Sequence, residues 1–299
     1  MSTELELKFL LPCTELARLQ QIVPQFGQVV HSAEHGLLNA YFDTRDNWFR
    51  RHDMGLRTRQ KQGQFEQTIK LAGQQHGAMQ MRPEYNLPCG GVVPELTAFP
   101  ADIWPAATDV AALQQQLTEL FRTDFVRQSW LLRCADNTEI EVAYDQGDIV
   151  ADGRHQPIAE LELELLRGQA QQLFMLADSL VLALPLRIGW QSKAARGYQL
   201  KAQQQPVLPG AAGNTLLEQV RATQQAEACF VAGNHAALAL ASSALQALAQ
   251  SVAAIPQLSS WHSSATTLAQ ALLQDGAVFG WRQYQQLLLA VSAYLYYNP

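Results

Sequence analysis

Histidine and cysteine are scarce in this chain, with 7 and 4 among 299 residues. His31, His35, His52, His76 and His155 fall mainly in or beside expected loops and form no HExxH or equivalent spacing, so they read as surface or capping residues. Cys13, Cys89, Cys134 and Cys229 stand singly. They offer neither the paired spacing of a zinc site nor a dense disulfide framework, which leaves them as reduced packing residues. The 18 glycines include no GxxxxGK[ST] run, so a P-loop is unsupported. Long apolar runs are missing too: stretches such as 180–186 are far too short to span a bilayer, and Glu4, Glu6 and Lys8 interrupt any signal-peptide pattern. The expected compartment is the cytoplasm, with no membrane partner. A surplus of positive charge is also absent. With 21 basic and 27 acidic residues the net charge is −6, which argues against bulk nucleic-acid binding but leaves room for a local basic pocket.

Charge is scarcest at one end. Residues 206–299 hold only Arg221 and Arg282 of the basic residues, and only Glu218, Glu227 and Asp275 of the acidic ones. Charge-dependent chemistry therefore belongs to the first two thirds. Proline, glycine and glutamine at 201–206 and 209–214 sustain neither helical nor strand periodicity, so a linker is expected there, dividing residues 1–203 from 204–299. At 48% hydrophobic residues the chain can bury a full core and hold two domains. Beyond the linker, leucine and alanine at helical spacing predict helices over 215–232, 236–253, 264–274 and 281–296, which would pack as a small antiparallel bundle.

What the first part does have is like charge at every second position. Glu4-Leu5-Glu6-Leu7-Lys8, Arg57-Thr58-Arg59-Gln60-Lys61, Glu139-Ile140-Glu141 and Glu160-Leu161-Glu162-Leu163-Glu164 each place charge on one face of a strand and mostly apolar residues on the other. Stacked like charges repel, so such a face must meet water or a ligand of opposite charge. Strands are expected over 3–11, 37–44, 55–61, 64–72, 79–87, 125–134, 138–146, 158–166 and 187–193, with helices over 14–24, around 109–121 and over 169–183. Short gaps such as Gln62-Gly63 mark hairpins, so the sheet is mainly antiparallel and long enough to close.

Strand parity sorts Glu4, Glu6, Lys8, Arg57, Arg59, Glu66, Thr68, Lys70, Arg82, Glu84, Arg127, Arg133, Glu139, Glu141, Asp145, Glu160, Glu162, Glu164, Arg187 and Lys193 onto one surface. Leu5, Leu7, Phe9, Ile69, Trp130, Leu132, Ile140, Val142, Leu161, Leu163 and Ile188 fall on the other. A small barrel normally fills its interior with apolar side chains. One lined by so many charges must instead hold water and a ligand. Half-exposed strands with charged faces in solvent are the alternative, but they leave the helices only the apolar face to cover, which is the arrangement of a covered barrel.

These motifs carry a resemblance. Glu4-Leu5-Glu6-Leu7-Lys8 matches an ExExK signature, followed in order by Tyr41-Phe42-Asp43-Thr44, Arg57 with Arg59, Lys70, Arg82-Pro83-Glu84-Tyr85, Arg127 before Trp130, Asp145, Glu160 with Glu162, and Ser192-Lys193-Ala194-Ala195-Arg196-Gly197-Tyr198. Over about residues 1–202 the sequence resembles the CYTH superfamily of triphosphate tunnel metalloenzymes, and segments 46–57 and 192–198 look most like its bacterial inorganic triphosphatases. The resemblance implies an α+β fold, a closed eight-stranded antiparallel β-tunnel with covering helices followed by a C-terminal helical domain. It implies that Lys8, Arg57, Arg59, Lys70, Arg127 and Lys193 hold a triphosphate, a chain of about four negative charges that calls for several cations at once. Glu4, Glu6, Glu160 and Glu162 would bind Mg²⁺ or Mn²⁺ through hard oxygen donors. Glu84 and Asp145 join the catalytic set by the same resemblance, with Glu139, Glu141 and Glu164 nearby; pairing with the arginines is the other reading of these acids.

The implied activity is metal-dependent hydrolysis of inorganic triphosphate, without a covalent nucleophile. A class IV adenylate cyclase or an organic (thiamine or nucleoside) triphosphatase would use the same tunnel plus a base pocket that no residue here identifies. A non-catalytic polyphosphate or nucleotide sensor would need the cations but not the metal-binding acids. Related proteins often continue into a CHAD domain, a helical module associated with polyphosphate. With two cations and two histidines, residues 206–299 lack its basic groove, so they read as a fragment, a degenerate form or a dimerisation element that would give a homodimer.

Overall fold

Positive φ at both central residues of the Gln62-Gly63 and Asp152-Gly153 turns makes these two loops tight hairpins whose twist suits the flanking strands. The computed structural model describes residues 2–298. Its strands are β1 (Ser2–Leu10), β2 (Gln28–Asp43), β3 (Gly55–Lys61), β4 (Gln64–Lys70), β5 (Gln74–His76), β6 (Met79–Cys89), β7 (Thr118–Arg133), β8 (Glu139–Ala151), β9 (Arg154–Arg167) and β10 (Arg187–Ile188). Every pairing is antiparallel. In the order β1-β9-β8-β7-β2-β3-β4-β6, with β6 returning to β1, eight strands form a closed ring; β10 adds to β1 and β5 to β6 outside it.

The helices are α1 (Leu16–Ile22), α2 (Trp48–Arg51), α3 (Val110–Gln116), α4 (Ala170–Ala183), α5 (Lys193–Ala202), α6 (Leu216–Val231), α7 (Ala237–Ala253), α8 (His262–Leu272) and α9 (Arg282–Tyr297). Among the described residues no helix is long and apolar enough to cross a membrane. Closure of the ring turns the strands' apolar faces outward. Leu5, Leu7, Phe9, Leu132, Ile140, Val142, Leu161 and Leu163 join α4 and the C-terminal helices in one core, while Ile69, Leu56 and Phe42 pack under α2, α3 and Leu96 in a second. Each fully buried leucine or phenylalanine of these faces stabilises the fold by ~1.5–3 kcal/mol.

Several elements differ from their sequence expectations. The helix expected to 121 stops at Gln116, because residues from Thr118 on are recruited as the first half of β7, opposite β2. β2 itself begins at Gln28 rather than 37; its polar first half has no apolar alternation and is held by pairing with β7. The strand expected over 187–193 ends at Ile188, and Lys193 instead starts α5, capped by Ser192 Oγ, which accepts a bond from Ala195 N at 3.1 Å. All four C-terminal helices keep their expected spans within two residues at each end.

Those helices lie directly on the barrel. Ala78 N donates to Ser292 Oγ at 2.7 Å and Ile188 N to Gln285 Oε1 at 2.8 Å, tying β10 and the segment between β5 and β6 to α9. Gly77, at φ +65°, passes so close to Ser292 that a side chain there would collide with it. His76, expected near a loop, is buried on β5 with Nδ1 3.2 Å from Leu295 O.

Candidate active site

Because side chains alternate along a strand, closing the ring collects one parity of eight strands around a single cavity. The cavity measures about 220 Å³. Seven cations line it, Lys8, Arg57, Arg59, Lys70, Arg82, Arg127 and Lys193, together with seven carboxylates, Glu4, Glu6, Glu66, Glu84, Glu141, Glu162 and Glu164. Register brings opposite charges face to face, as in Lys8 beside Glu162 and Lys70 beside Glu84, but also sets Glu6 and Glu141 on either side of Glu164.

One part of the wall is a network of cations around Glu162. Its carboxylate lies 3.2 Å from Lys8 Nζ, 2.8 Å from Lys193 Nζ and 2.5 Å from Arg127 Nη2. Burial pushes the Glu162 carboxyl up, and these three cations outweigh it and hold the group well below the usual range. Behind this layer, fully buried Asp145 accepts from Arg127 Nε and Nη2 at 2.6 and 2.7 Å and lies 2.8 Å from Lys193 Nζ. It fixes the guanidinium plane and the ammonium without reaching the cavity. Glu160, also fully buried, lies 2.7 Å from Lys193 Nζ and 3.2 Å from Arg196 Nη1.

Elsewhere like charges meet without relief. Burial and the guanidiniums of Arg57 and Arg127 push Arg59 down to about 9. Its Nε donates to Asn39 Oδ1 at 2.8 Å, and Arg57 Nε has no hydrogen-bond partner among the described residues. Neither Arg57 nor Arg59 forms an ion pair among the described residues, unlike Arg127, and two such guanidiniums side by side are a receptor for an anion. On the acidic side, burial together with Glu4, Glu141 and Glu6 pushes Glu164 up to about 8. Glu6 is raised by burial and by Glu162 and Glu4, against the pull of Lys8. Such mutual repulsion among oxygen donors is relieved by a hard cation. Among the described residues no three acids already stand as a finished coordination shell, and Glu4 is held by Lys70, which also lies 3.3 Å from Glu84.

The family model for the CYTH domain matches residues 2–198. The chain belongs to the CYTH family. A curated relative, the inorganic triphosphatase of Haemophilus influenzae, is 34% identical over 209 residues, which cover 68% of this chain and 56% of that protein. The chain thus spans about half the length of that relative. Among solved structures, a Hippeastrum protein described as an adenylyl cyclase with dominant triphosphatase activity aligns at TM-score 0.48 and 15% identity, covering 69% of this chain and 98% of its own. A Bacillus halodurans protein described as a candidate adenylate cyclase aligns at 0.35 and 18%, covering 60% and 90%. Membership rests on the family match, not on these two.

In the CYTH tunnel, ten residues singled out from sequence line the cavity together: Glu4, Glu6, Lys8, Arg57, Arg59, Lys70, Glu84, Arg127, Glu162 and Lys193. Asp145 and Glu160 stand behind the wall instead. Arg133 and Glu139, expected inside, pair with each other at 2.9 Å and do not line the cavity; they are the last residue of β7 and the first of β8, at the end of the hairpin. Arg187 is outside because β10 is not part of the ring; it pairs with Glu227 of α6 at 2.5 Å. Tyr41, Gln80, Asn86, Phe125 and Ser192 also line the CYTH tunnel and were not singled out as site residues. Their strand parity was readable for Gln80 and Asn86, which share the face of Arg82 and Glu84.

Proposed function

We propose that the tunnel binds inorganic triphosphate and, with a divalent metal, hydrolyses it to pyrophosphate and phosphate. The observation that carries this reading is the juxtaposition in one cavity of a guanidinium without an ion-pair partner, Arg59, pushed down to about 9, and crowded carboxylates, with Glu164 pushed up to about 8. With seven cations against seven carboxylates in its wall, the tunnel has no surplus to neutralise a polyphosphate unless a metal ion masks the acids. The 34% identity to an inorganic triphosphatase supports the same assignment.

In this reading Lys8, Arg57, Arg59, Lys70, Arg127 and Lys193 hold the phosphate oxygens, with Asp145 fixing Arg127 and Lys193. Glu4, Glu6 and Glu162 hold Mg²⁺ or Mn²⁺, joined by Glu164 and Glu141 in place of Glu160, which is fully buried and does not line the cavity. When bound, the metal neutralises phosphate charge and raises the electrophilicity of phosphorus. Hydrolysis adds water across one terminal P–O–P link: oxygen of water bonds to phosphorus, the bridging P–O bond breaks, and its electron pair leaves with pyrophosphate. The chain's contribution is orientation and charge stabilisation of the developing negative oxygens.

Incubation with Mg²⁺ or Mn²⁺ and chromatography of products is the test. Triphosphate should give pyrophosphate and phosphate, and ATP should be cleaved at least about tenfold less efficiently, or roughly 1.4 kcal/mol of transition-state stabilisation, since adenosine adds bulk without a receptor. Cyclic AMP formed from ATP faster than triphosphate is cleaved would overturn the reading in favour of a cyclase.

A further inference from the structure

Four of the seven cations in the tunnel wall, Lys8, Lys70, Arg127 and Lys193, pair with carboxylates. Arg59 pairs with none among the described residues, yet its guanidinium is held, because Nε donates to Asn39 Oδ1 at 2.8 Å. Strand register brings this about. Asn39 stands directly opposite Arg59 across β2 and β3 and directly opposite Thr123 across β2 and β7, so Thr123, Asn39 and Arg59 form one cross-strand row. Asn39 Nδ2 donates to Thr123 Oγ1 at 2.9 Å, and both residues are buried.

A guanidinium carries only donors, so it must meet the oxygen of the amide, and the Thr123 hydroxyl takes up the NH2 group on the other side. The amide is thereby fixed in the orientation that receives Arg59. Its neutrality is the consequential property. Arg127 shows the charged alternative in the same barrel: Asp145 receives its Nε and Nη2 at 2.6 and 2.7 Å, which orients that guanidinium and also neutralises it. Asn39 engages only Nε of Arg59. The two terminal nitrogens, without a partner among the described residues, are left to the cavity that Arg59 lines, where they can form paired bonds to an oxyanion. An aspartate in place of Asn39 would have nearly the same shape and would cancel the charge.

We propose that Asn39 is a positioning residue for the tunnel reaction, a neutral holder that aims Arg59 at the phosphate oxygens of the substrate while leaving its positive charge uncancelled. This rests on the reading of the tunnel as a triphosphate site. Steady-state hydrolysis of inorganic triphosphate by the full chain with Mg²⁺ tests it. Asn39→Asp should raise KM about tenfold while kcat changes by less than about threefold, and the thermal midpoint without substrate should not fall. Asn39→Ala removes the acceptor without adding charge; it should raise KM about fivefold, but less than about twofold when Arg59 is already replaced by glutamine, because the two residues act as one unit. A purely structural residue would lower the midpoint and weaken catalysis equally in both backgrounds, and that result overturns the proposal. So does an unchanged KM in Asn39→Asp beside an active wild-type enzyme, which leaves the tunnel reading in place. Wild-type protein that does not cleave triphosphate at all overturns both together.

Discussion

Arg59 keeps its charge in the tunnel against burial and two neighbouring guanidiniums. Replacing it should therefore separate stability from function: Arg59→Gln should leave the thermal midpoint unchanged or higher while raising KM for triphosphate at least about tenfold. A lowered midpoint with unchanged KM would contradict this. Glu6→Gln is the isosteric counterpart on the acidic side. Loss of a metal-binding oxygen without a cavity should lower kcat on the order of 10²-fold with the fold intact, measured with Mg²⁺ and with Mn²⁺. Glu164 gives the pH dependence. Its folded-state value, about 8, lies above its ordinary 4.5, so its contribution to stability is full below about pH 4.5 and is lost as pH rises through 8. Metal-free protein should melt at progressively lower temperature between pH 5 and about 8.5, and added Mg²⁺ or Mn²⁺ should restore the midpoint most strongly at the alkaline end. Calorimetric scans across that range, with and without metal, check the sign.

At the scale of elements, α5 is the most consequential short segment. Its N-cap Ser192 sets the direction in which Lys193, the first helical residue, enters the tunnel, and Gly197 lets the helix approach Phe121 so closely that a Cβ there would run into the ring. Ser192→Ala should cost about 1 kcal/mol through the lost cap and raise KM through a displaced Lys193. Gly197→Ala should cost about 1–3 kcal/mol by overpacking, despite the higher helix propensity of alanine. Chemical denaturation of both variants distinguishes the outcomes: a gain in stability for Gly197→Ala would mean that the contact with Phe121 yields freely.

For the whole molecule, the linker that divides the sequence does not divide the hydrophobic core. Leu7, Phe9 and Met79 of the barrel belong to the same buried cluster as Leu245, Leu268 and Leu288 of the C-terminal helices. Partly exposed Arg187 pairs with buried Glu227 across the two parts, and Tyr284 Oη donates to the same carboxylate at 3.3 Å. A chain cut after residue 204 keeps the tunnel's charged lining but exposes that outer face and leaves Arg187 unpaired. It should melt on the order of 10 °C lower than the full chain and aggregate on heating. An equally stable, monodisperse fragment would show that the shared core contributes little.

Periodicity in the sequence by itself determined that alternating charged strands would close into an antiparallel ring with its charge inside, since a side chain's face follows from a repeat of two. Together with the family resemblance it picked out ten of the residues that line the cavity, from Glu4 to Lys193, because each lies on a regular strand or in a recognisable motif. Only the tertiary structure decided that Asp145 and Glu160 stand behind the wall, that Glu139 pairs with Arg133 beyond the end of the cavity, and that Lys193 enters from a helix end. Those outcomes depend on which cation reaches which carboxylate across strands, and local spacing carries no information about that.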